Sequence, residues 1–288
     1  MIIFIRFLQW IFGFIFRLPP SAAIYLMQFA GEATYQIARL TKIKKTAARD
    51  LKLLFPKANT DLLADKLLKN ISYSIFEILC TPFFEQTHLE KICGIKGLEN
   101  LDLALSKRKG ALILSMHTGN YELIPVALTG LGYRVNTVLR ATPDPIFNLL
   151  NRSRSYKGIK LINILEANMY RESLKALGEN EVICLAVDTG ALEGRHEIFT
   201  FLEKKVPVAT GWLTLAQRSE APVVPAFSKR EGKKAVITLG EPLTVYREDR
   251  EKVMSKVGLF FENFIKNHPE QWAIFLNEYE TKRMIGEK

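Results

Sequence analysis

Cysteine is scarce in this chain. Cys80, Cys93 and Cys184 are the whole complement among 288 residues. They are odd in number and have no Cys-x-x-Cys spacing, which excludes a disulfide framework and a cysteine zinc site and leaves buried or incidental thiols. Histidine is also sparse, and His88, His117, His196 and His268 lack metal-ligand spacing. No metal and no bound cofactor are therefore expected. There is no Gly-x-Ser-x-Gly elbow to present a nucleophilic serine. Internal repeats, low-complexity stretches and Gly/Ser linkers are absent as well. Negative charge is in deficit, with 30 Asp+Glu against 40 Lys+Arg and a net charge of +10.

What remains is 48% hydrophobic and 24% charged. That is enough to bury a sizeable core, and too polar for a polytopic membrane protein. A basic surface favours an anionic partner: nucleic acid, an acidic membrane face, or a phosphorylated or acidic-carrier substrate. No RRM, zinc-finger or Gly-x-x-Gly pattern supports nucleic acid, so none is expected as a partner.

The first sixteen residues, MIIFIRFLQWIFGFIF, are nearly all apolar and are marked by Arg6 and Arg17. As a helix they reach only about 24 Å, short of the roughly 30 Å of a bilayer core. A signal peptide fits the length but lacks a basic segment ahead of the apolar one. A buried core helix is the bland alternative. The reading favoured here is a shallow or tilted membrane anchor whose arginines reach toward head groups. Pro19 and Pro20 end that helix, and an amphipathic pattern follows from Ser21. A basic run then comes, with Arg39, Lys42, Lys44, Lys45, Arg49 and Lys52 opposed only by Asp50. It suits a solvated helix face or an anionic lipid surface.

Residues 60–84 hold helical spacing. Beyond Gly110, short apolar runs at 111–117, 134–140, 159–165, 181–188, 222–229 and 234–240 alternate with helical patterns. Those patterns cover about 120–130, 145–156, 168–178 and 209–219, and a last helix covers about 247–267. The alternation predicts an α/β fold: a mostly parallel central sheet flanked by helices on both faces, with an N-terminal membrane-anchoring helical region. The boundary is placed so that residues 1–56 form the apolar anchor and basic amphipathic region and residues 57–288 the α/β domain.

Sites in open α/β sheets form at the carboxyl ends of strands. Those ends here are His117, Arg140, Leu165, Asp188 and Lys229. The first run continues as Ser115-Met116-His117-Thr118-Gly119-Asn120-Tyr121-Glu122. On one continuous helix, residues five apart lie roughly 140° from each other. Across a strand–turn–helix junction, His117 and Glu122 can meet. Imidazole suits proton removal near neutral pH, and a carboxylate on its second nitrogen fixes the tautomer. With no serine elbow and no adjacent cysteine, the nucleophile is expected to be the substrate's own hydroxyl, activated by His117. The N–H groups of the helix start after Gly119 are expected to face an oxyanion or phosphate. A histidine that merely follows a strand remains the plain alternative.

HTGNYE (117–122) resembles the His-x4-Asp/Glu motif of glycerolipid acyltransferases, and more narrowly the His-x-Gly-Asn-x-Glu form of the lipid A biosynthesis late acyltransferases, the lauroyl/myristoyl transferases. The likeness runs over most of the chain. Arg49, Leu51, Leu54-Phe55-Pro56 and Glu77 resemble an N-terminal signature. Val138-Leu139-Arg140, Arg152 with Arg154, Asp188, Ala221-Pro222-Val223-Val224-Pro225 and His268-Pro269-Glu270-Gln271-Trp272 match further blocks. The resemblance implies transfer of a fatty acyl chain from acyl carrier protein or coenzyme A to a lipid hydroxyl at the cytoplasmic face of a bacterial inner membrane. It implies catalytic roles for His117 and Glu122, and substrate-binding or site-organising roles for Gly119, Asn120, Arg140, Arg152, Arg154 and Asp188. Thr189 stands where a glutamine is usual, Phe201-Leu202-Glu203 where an aromatic pair and glycine are usual, and Asp50 where asparagine is common. A lysophospholipid or another polar lipid is therefore an alternative acceptor, and a non-catalytic lipid-binding protein is the alternative from a different class.

Overall fold

The computed structural model describes residues 2–141, 151, 153–189, 196–276 and 282. In chain order the strands are β1 (Cys93–Lys96), β2 (Ala111–Ser115), β3 (Val135–Leu139), β4 (Lys160–Asn163), β5 (Val182–Ala186), β6 (His196–Phe201), β7 (Lys204–Ala209), β8 (Val223–Glu231) and β9 (Lys234–Leu239). Seven of them form one sheet in the order β1-β9-β8-β2-β5-β3-β4, and β6 and β7 form a separate hairpin. Within the large sheet every pairing is parallel except that of β8 with β9.

The α/β architecture and its mostly parallel sheet are as the apolar runs imply, and all six runs become strands. β2 shows why. Its ALILS run is buried throughout. Leu112 and Leu114 face one apolar cluster, while Ala111 and Ile113 face another. Such a strand must be covered on both sides. The covering helices are α1 (Ile2–Ile15), α2 (Pro20–Ala38), α3 (Lys42–Leu54), α4 (Thr60–Cys80), α5 (Gln86–Ile92), α6 (Leu98–Ser106), α7 (Leu123–Gly130), α8 (Met169–Gly178), α9 (Gly211–Ser219) and α10 (Arg250–Asn267). The helical pattern at 145–156 falls largely outside the described residues.

Two β elements escape the sequence pattern. β1 is a four-residue edge strand, too short to show a period. The hairpin turns at Leu202 and Glu203, both in the left-handed region with φ of 49° and 62°. That backbone favours Asn-Gly and gives no sequence signal when built from Leu-Glu.

The N-terminal helices pack onto the core. Phe12, Ile24 and Met27 are buried in the same apolar cluster as Ile113. Ile3, Phe7, Trp10 and Phe14 of α1 are exposed, and their spacing of four, three and four residues puts them on one stripe. Trp10 packs edge-on against Phe14 with centroids 4.8 Å apart, and the Arg17 guanidinium also lies 4.8 Å from the Phe14 ring centroid. Among the described residues, no helix is long and apolar enough to cross a membrane.

Candidate active site

β2 and β5 are neighbours, and Ser115 pairs with Ala186. Two residues past that pair, their chains deliver His117 and Asp188 side by side. The imidazole Nδ1 lies 2.7 Å from Asp188 Oδ1, and the His117 backbone N–H donates to Oδ2 at 3.0 Å. A third donor, the Trp272 indole N–H, reaches Oδ2 at 2.8 Å. Asp188 is 1% exposed at its side chain while His117 keeps 27%. Substrate can therefore reach the imidazole and not the carboxylate behind it. With Nδ1 occupied, Nε2 is the nitrogen left for chemistry.

The electrostatics follow from this packing. Burial alone would depress the His117 pKa, but the charge and hydrogen bond of Asp188, helped by Glu122 and opposed by Arg154, lift it above its ordinary 6.5. Burial would raise the Asp188 carboxyl, yet His117 and the donated hydrogen bonds hold it below its ordinary 3.8.

Glu122 lies at the junction, as expected, but its carboxylate faces a different partner. Arg154 Nε donates to both Glu122 oxygens at 3.0 Å, and Arg154 Nη2 donates to Oε1 at 2.5 Å. The place on the second imidazole nitrogen, foreseen for Glu122, is taken by Asp188. The reason is reach: the sheet register sets Asp188 directly beside His117, whereas Glu122 caps α7 and turns toward Arg154. Tyr121 joins the two groups. Its ring meets the imidazole edge-on at 4.5 Å, and its hydroxyl lies beside Glu122. Burial, with Glu122 beside it, pushes that hydroxyl well above its usual pKa. A small cavity borders the Glu122–Arg154 pair, lined by Ile78, Thr81, Pro125, Val126 and Thr137.

Gly119 and Asn120 shape the loop between strand and helix. Gly119 has φ of +53°, and a Cβ there would sit 2.4 Å from the Ser228 carbonyl oxygen. No other residue fits that approach. Asn120 is buried, and its Nδ2 donates to Glu77 Oε2 at 2.7 Å. Both residues thus face the interior of the fold. The N–H groups of His117, Thr118, Gly119, Leu123 and Ile124 bond to Asp188, Met116, Gln271, Asn120 and Tyr121 respectively. Arg140 stands exposed just beyond the end of β3, two strands from His117. Arg152 lies outside the described residues.

Several site residues had no assigned role in the sequence. Trp272 belongs to a block noted only for its resemblance. Tyr121 gave no signal. Arg230 did give one: it is a charged residue in phase with Ala226 and Ser228 on the inward face of β8, where an isolated charge is costly. All three cysteines are free, with Cys80 and Cys184 buried. Among the described residues, no three His, Cys, Asp or Glu side chains converge as a metal site.

A buried carboxylate behind a half-open imidazole, at the carboxyl edge of a mostly parallel sheet, defines a site able to take a proton from a hydroxyl. The profile of the bacterial lipid A biosynthesis acyltransferases matches residues 1–281, and this chain belongs to that family. It is an acyltransferase, of a family that in general moves an acyl group from a thioester donor to a lipid acceptor. No curated protein matches the chain.

Proposed function

We propose that this protein moves a fatty acyl chain from acyl carrier protein or coenzyme A to a hydroxyl of a lipid A precursor or related glycolipid, with His117 as general base. The observation that carries this reading is the 2.7 Å contact of Asp188 with Nδ1, which leaves Nε2 as the proton acceptor. Nε2 takes the acceptor's hydroxyl proton as that oxygen bonds to the thioester carbonyl carbon. When the tetrahedral intermediate collapses, the C–S bond breaks and Nε2 returns the proton to the departing thiolate. Asp188 stabilises the imidazolium between the two steps.

The exposed Ile3-Phe7-Trp10-Phe14 stripe supports an α1 that lies in the bilayer interface, with Arg6 and Arg17 at head-group level. The basic surface then meets both anionic lipid and an acidic carrier protein on the cytoplasmic face of the inner membrane. A lysophospholipid acceptor fits the same chemistry, and the departures at Thr189, Phe201-Leu202-Glu203 and Asp50 are the observations that favour it.

His117→Ala is expected to lower acyl transfer by roughly 10²–10⁴-fold while the protein stays folded. Full transfer by that variant would remove the assignment. Mass spectrometry of membrane lipids with and without the gene identifies the acceptor as the species, one acyl chain short of the product, that accumulates when the gene is absent. Phe7→Ser with Trp10→Ser is expected to release the protein from anionic vesicles with a stability change of about 0.5 kcal/mol per site or less, because both rings are exposed.

A further inference from the structure

The loop that follows His117 is fastened from below by one buried ion pair. Arg230 of β8 donates from Nη1 to Glu77 Oε1 at 2.9 Å and from Nη2 to Glu77 Oε2 at 2.6 Å. A further Nη2 bond reaches Ser74 Oγ at 3.1 Å. The two side chains are 2% and 1% exposed. The outer face of the same Glu77 carboxylate accepts from Asn120 Nδ2. Among the described residues the other end of that amide, Oδ1, has no hydrogen-bond partner, so Asn120 is held through Nδ2.

The backbone of Arg230 makes a second connection. Its N–H donates to Gln271 Oε1 at 2.9 Å, and the Gln271 carbonyl accepts from Gly119 N–H at 2.7 Å. Residues two and three places past His117 are thus both tied to Arg230, one through Gln271 and one through Glu77. The next residues of the Gln271 segment close the ring, since Ala273 N–H donates to the His117 carbonyl at 2.8 Å and Trp272 holds Asp188.

Burying an ion pair is a poor way to gain stability, because desolvation offsets most of the attraction and an apolar pair of similar volume often does as well. What the pair supplies and an apolar pair cannot is a fixed carboxylate that only a donor can approach. It selects the Asn120 amide orientation and pins the loop. We propose that Glu77 and Arg230 are positioning residues for acyl transfer. Acting through Asn120 and Gln271, they set the height of the His117 imidazole against the bound thioester. This rests on His117 being the base.

The test uses the full chain in lipid–detergent micelles, with steady-state kinetics on an acyl thioester and thermal unfolding measured for each variant. Glu77→Met with Arg230→Met, an apolar exchange, is expected to keep an unfolding midpoint near the parent's. Its kcat should fall roughly 10- to 100-fold at an unchanged KM, since small misplacements of a reacting group carry penalties of that size. Adding Asn120→Ala to this double variant should cost less than about twofold more, because both changes break the same link. Parental kcat in the double variant, or losses that multiply, would overturn the proposal. If the double variant does not fold, Asn120→Asp decides. It leaves the ion pair intact but sets carboxylate against carboxylate, and it must show the same kcat loss at constant KM; parental kcat would refute the role. His117→Ala is run alongside. Activity there removes the base assignment, whereas an inactive His117→Ala beside fully active Glu77, Arg230 and Asn120 variants removes only the positioning role.

Discussion

Two carboxylates flank the imidazole, and different donors hold them. Asp188 accepts from the His117 backbone, the His117 ring and the Trp272 indole, and none of these is a permanent cation. Glu122 is forked to Arg154, which is always charged. At His117 the fields of Glu122 and Arg154 oppose each other, one raising and one lowering the imidazole pKa. The field of Asp188 raises the imidazole pKa by more than that of Glu122 does. Its interaction with the ring therefore strengthens when a proton arrives, while the Glu122–Arg154 pair stays nearly neutral. The first carboxylate suits the proton transfer itself, and the second suits holding the wall of the site and orienting substrate.

Asp188→Asn tests this difference most severely. It is expected to lower kcat by roughly 10³–10⁴-fold, as loss of the orienting carboxylate does in a hydrolase triad. The pH dependence has a definite sign. A base must be neutral, so transfer rises with pH through the elevated His117 pKa, and removing Asp188 should move that rising limb to lower pH. Stability runs the other way. Because its folded pKa is raised, His117 contributes stability that is complete below 6.5 and lost as pH climbs through the folded value. Because its folded pKa is depressed, Asp188 contributes stability present above 3.8 and lost as pH falls through the folded value. The pair thus stabilises most between those two values, and unfolding scans across pH on Asp188→Asn should show that window flattened.

Glu122→Gln comes next in size. It leaves the Arg154 guanidinium, 16% exposed at its side chain, without its counter-charge, a change expected to cost about 3 kcal/mol of stability. Transfer should fall by roughly 10- to 100-fold through misplacement of the site wall. The pH limb should move less than in Asp188→Asn. An equal or larger shift in Glu122→Gln, measured on the same substrate, would reverse the roles given to the two carboxylates.

The comparison also shows what a linear reading can hold. The sheet was legible because its strands are short apolar runs separated by helical patterns, with β2 at the centre buried on both faces. His117 was legible because a strand end is where α/β sheets place chemistry. Asp188 was also visible as a strand end, yet its partnership with His117 was not, because strand order and register decide it. The sequence does not say that the 181–188 run lies beside the 111–117 run, and only the Ser115–Ala186 pairing makes the contact inevitable. Glu122, five residues from His117, looked nearer than Asp188, seventy-one residues away. The family resemblance implied substrate-binding or site-organising roles for Asn120 and Gly119, and in the fold Asn120 Nδ2 and the Gly119 N–H turn inward to Glu77 and Gln271. Local spacing carries the elements; contacts at the site are made by non-local pairings.

The smallest expected effect sharpens the case for Asp188. Trp272 is fully buried, with its indole edge-on to Phe201 and Phe275 at centroid distances of 5.9 and 5.5 Å. Trp272→Phe keeps an aromatic ring in that space and removes the 2.8 Å hydrogen bond to Asp188 Oδ2. A hydrogen bond to a charged group contributes about 1.5–3 kcal/mol, so stability at neutral pH should drop by that order. The lost donor also lets the Asp188 pKa rise. Its stabilising charge is then neutralised at a higher pH, and acid unfolding should begin earlier than in the parent. The Nδ1 contact and the His117 backbone donor both survive the change. The imidazole therefore keeps its tautomer, the rising limb of transfer stays close to the parental pH, and kcat falls only about threefold to tenfold. A limb displaced as far as in Asp188→Asn would mean that Asp188 cannot orient His117 without the indole, and that the working unit is His117, Asp188 and Trp272 together.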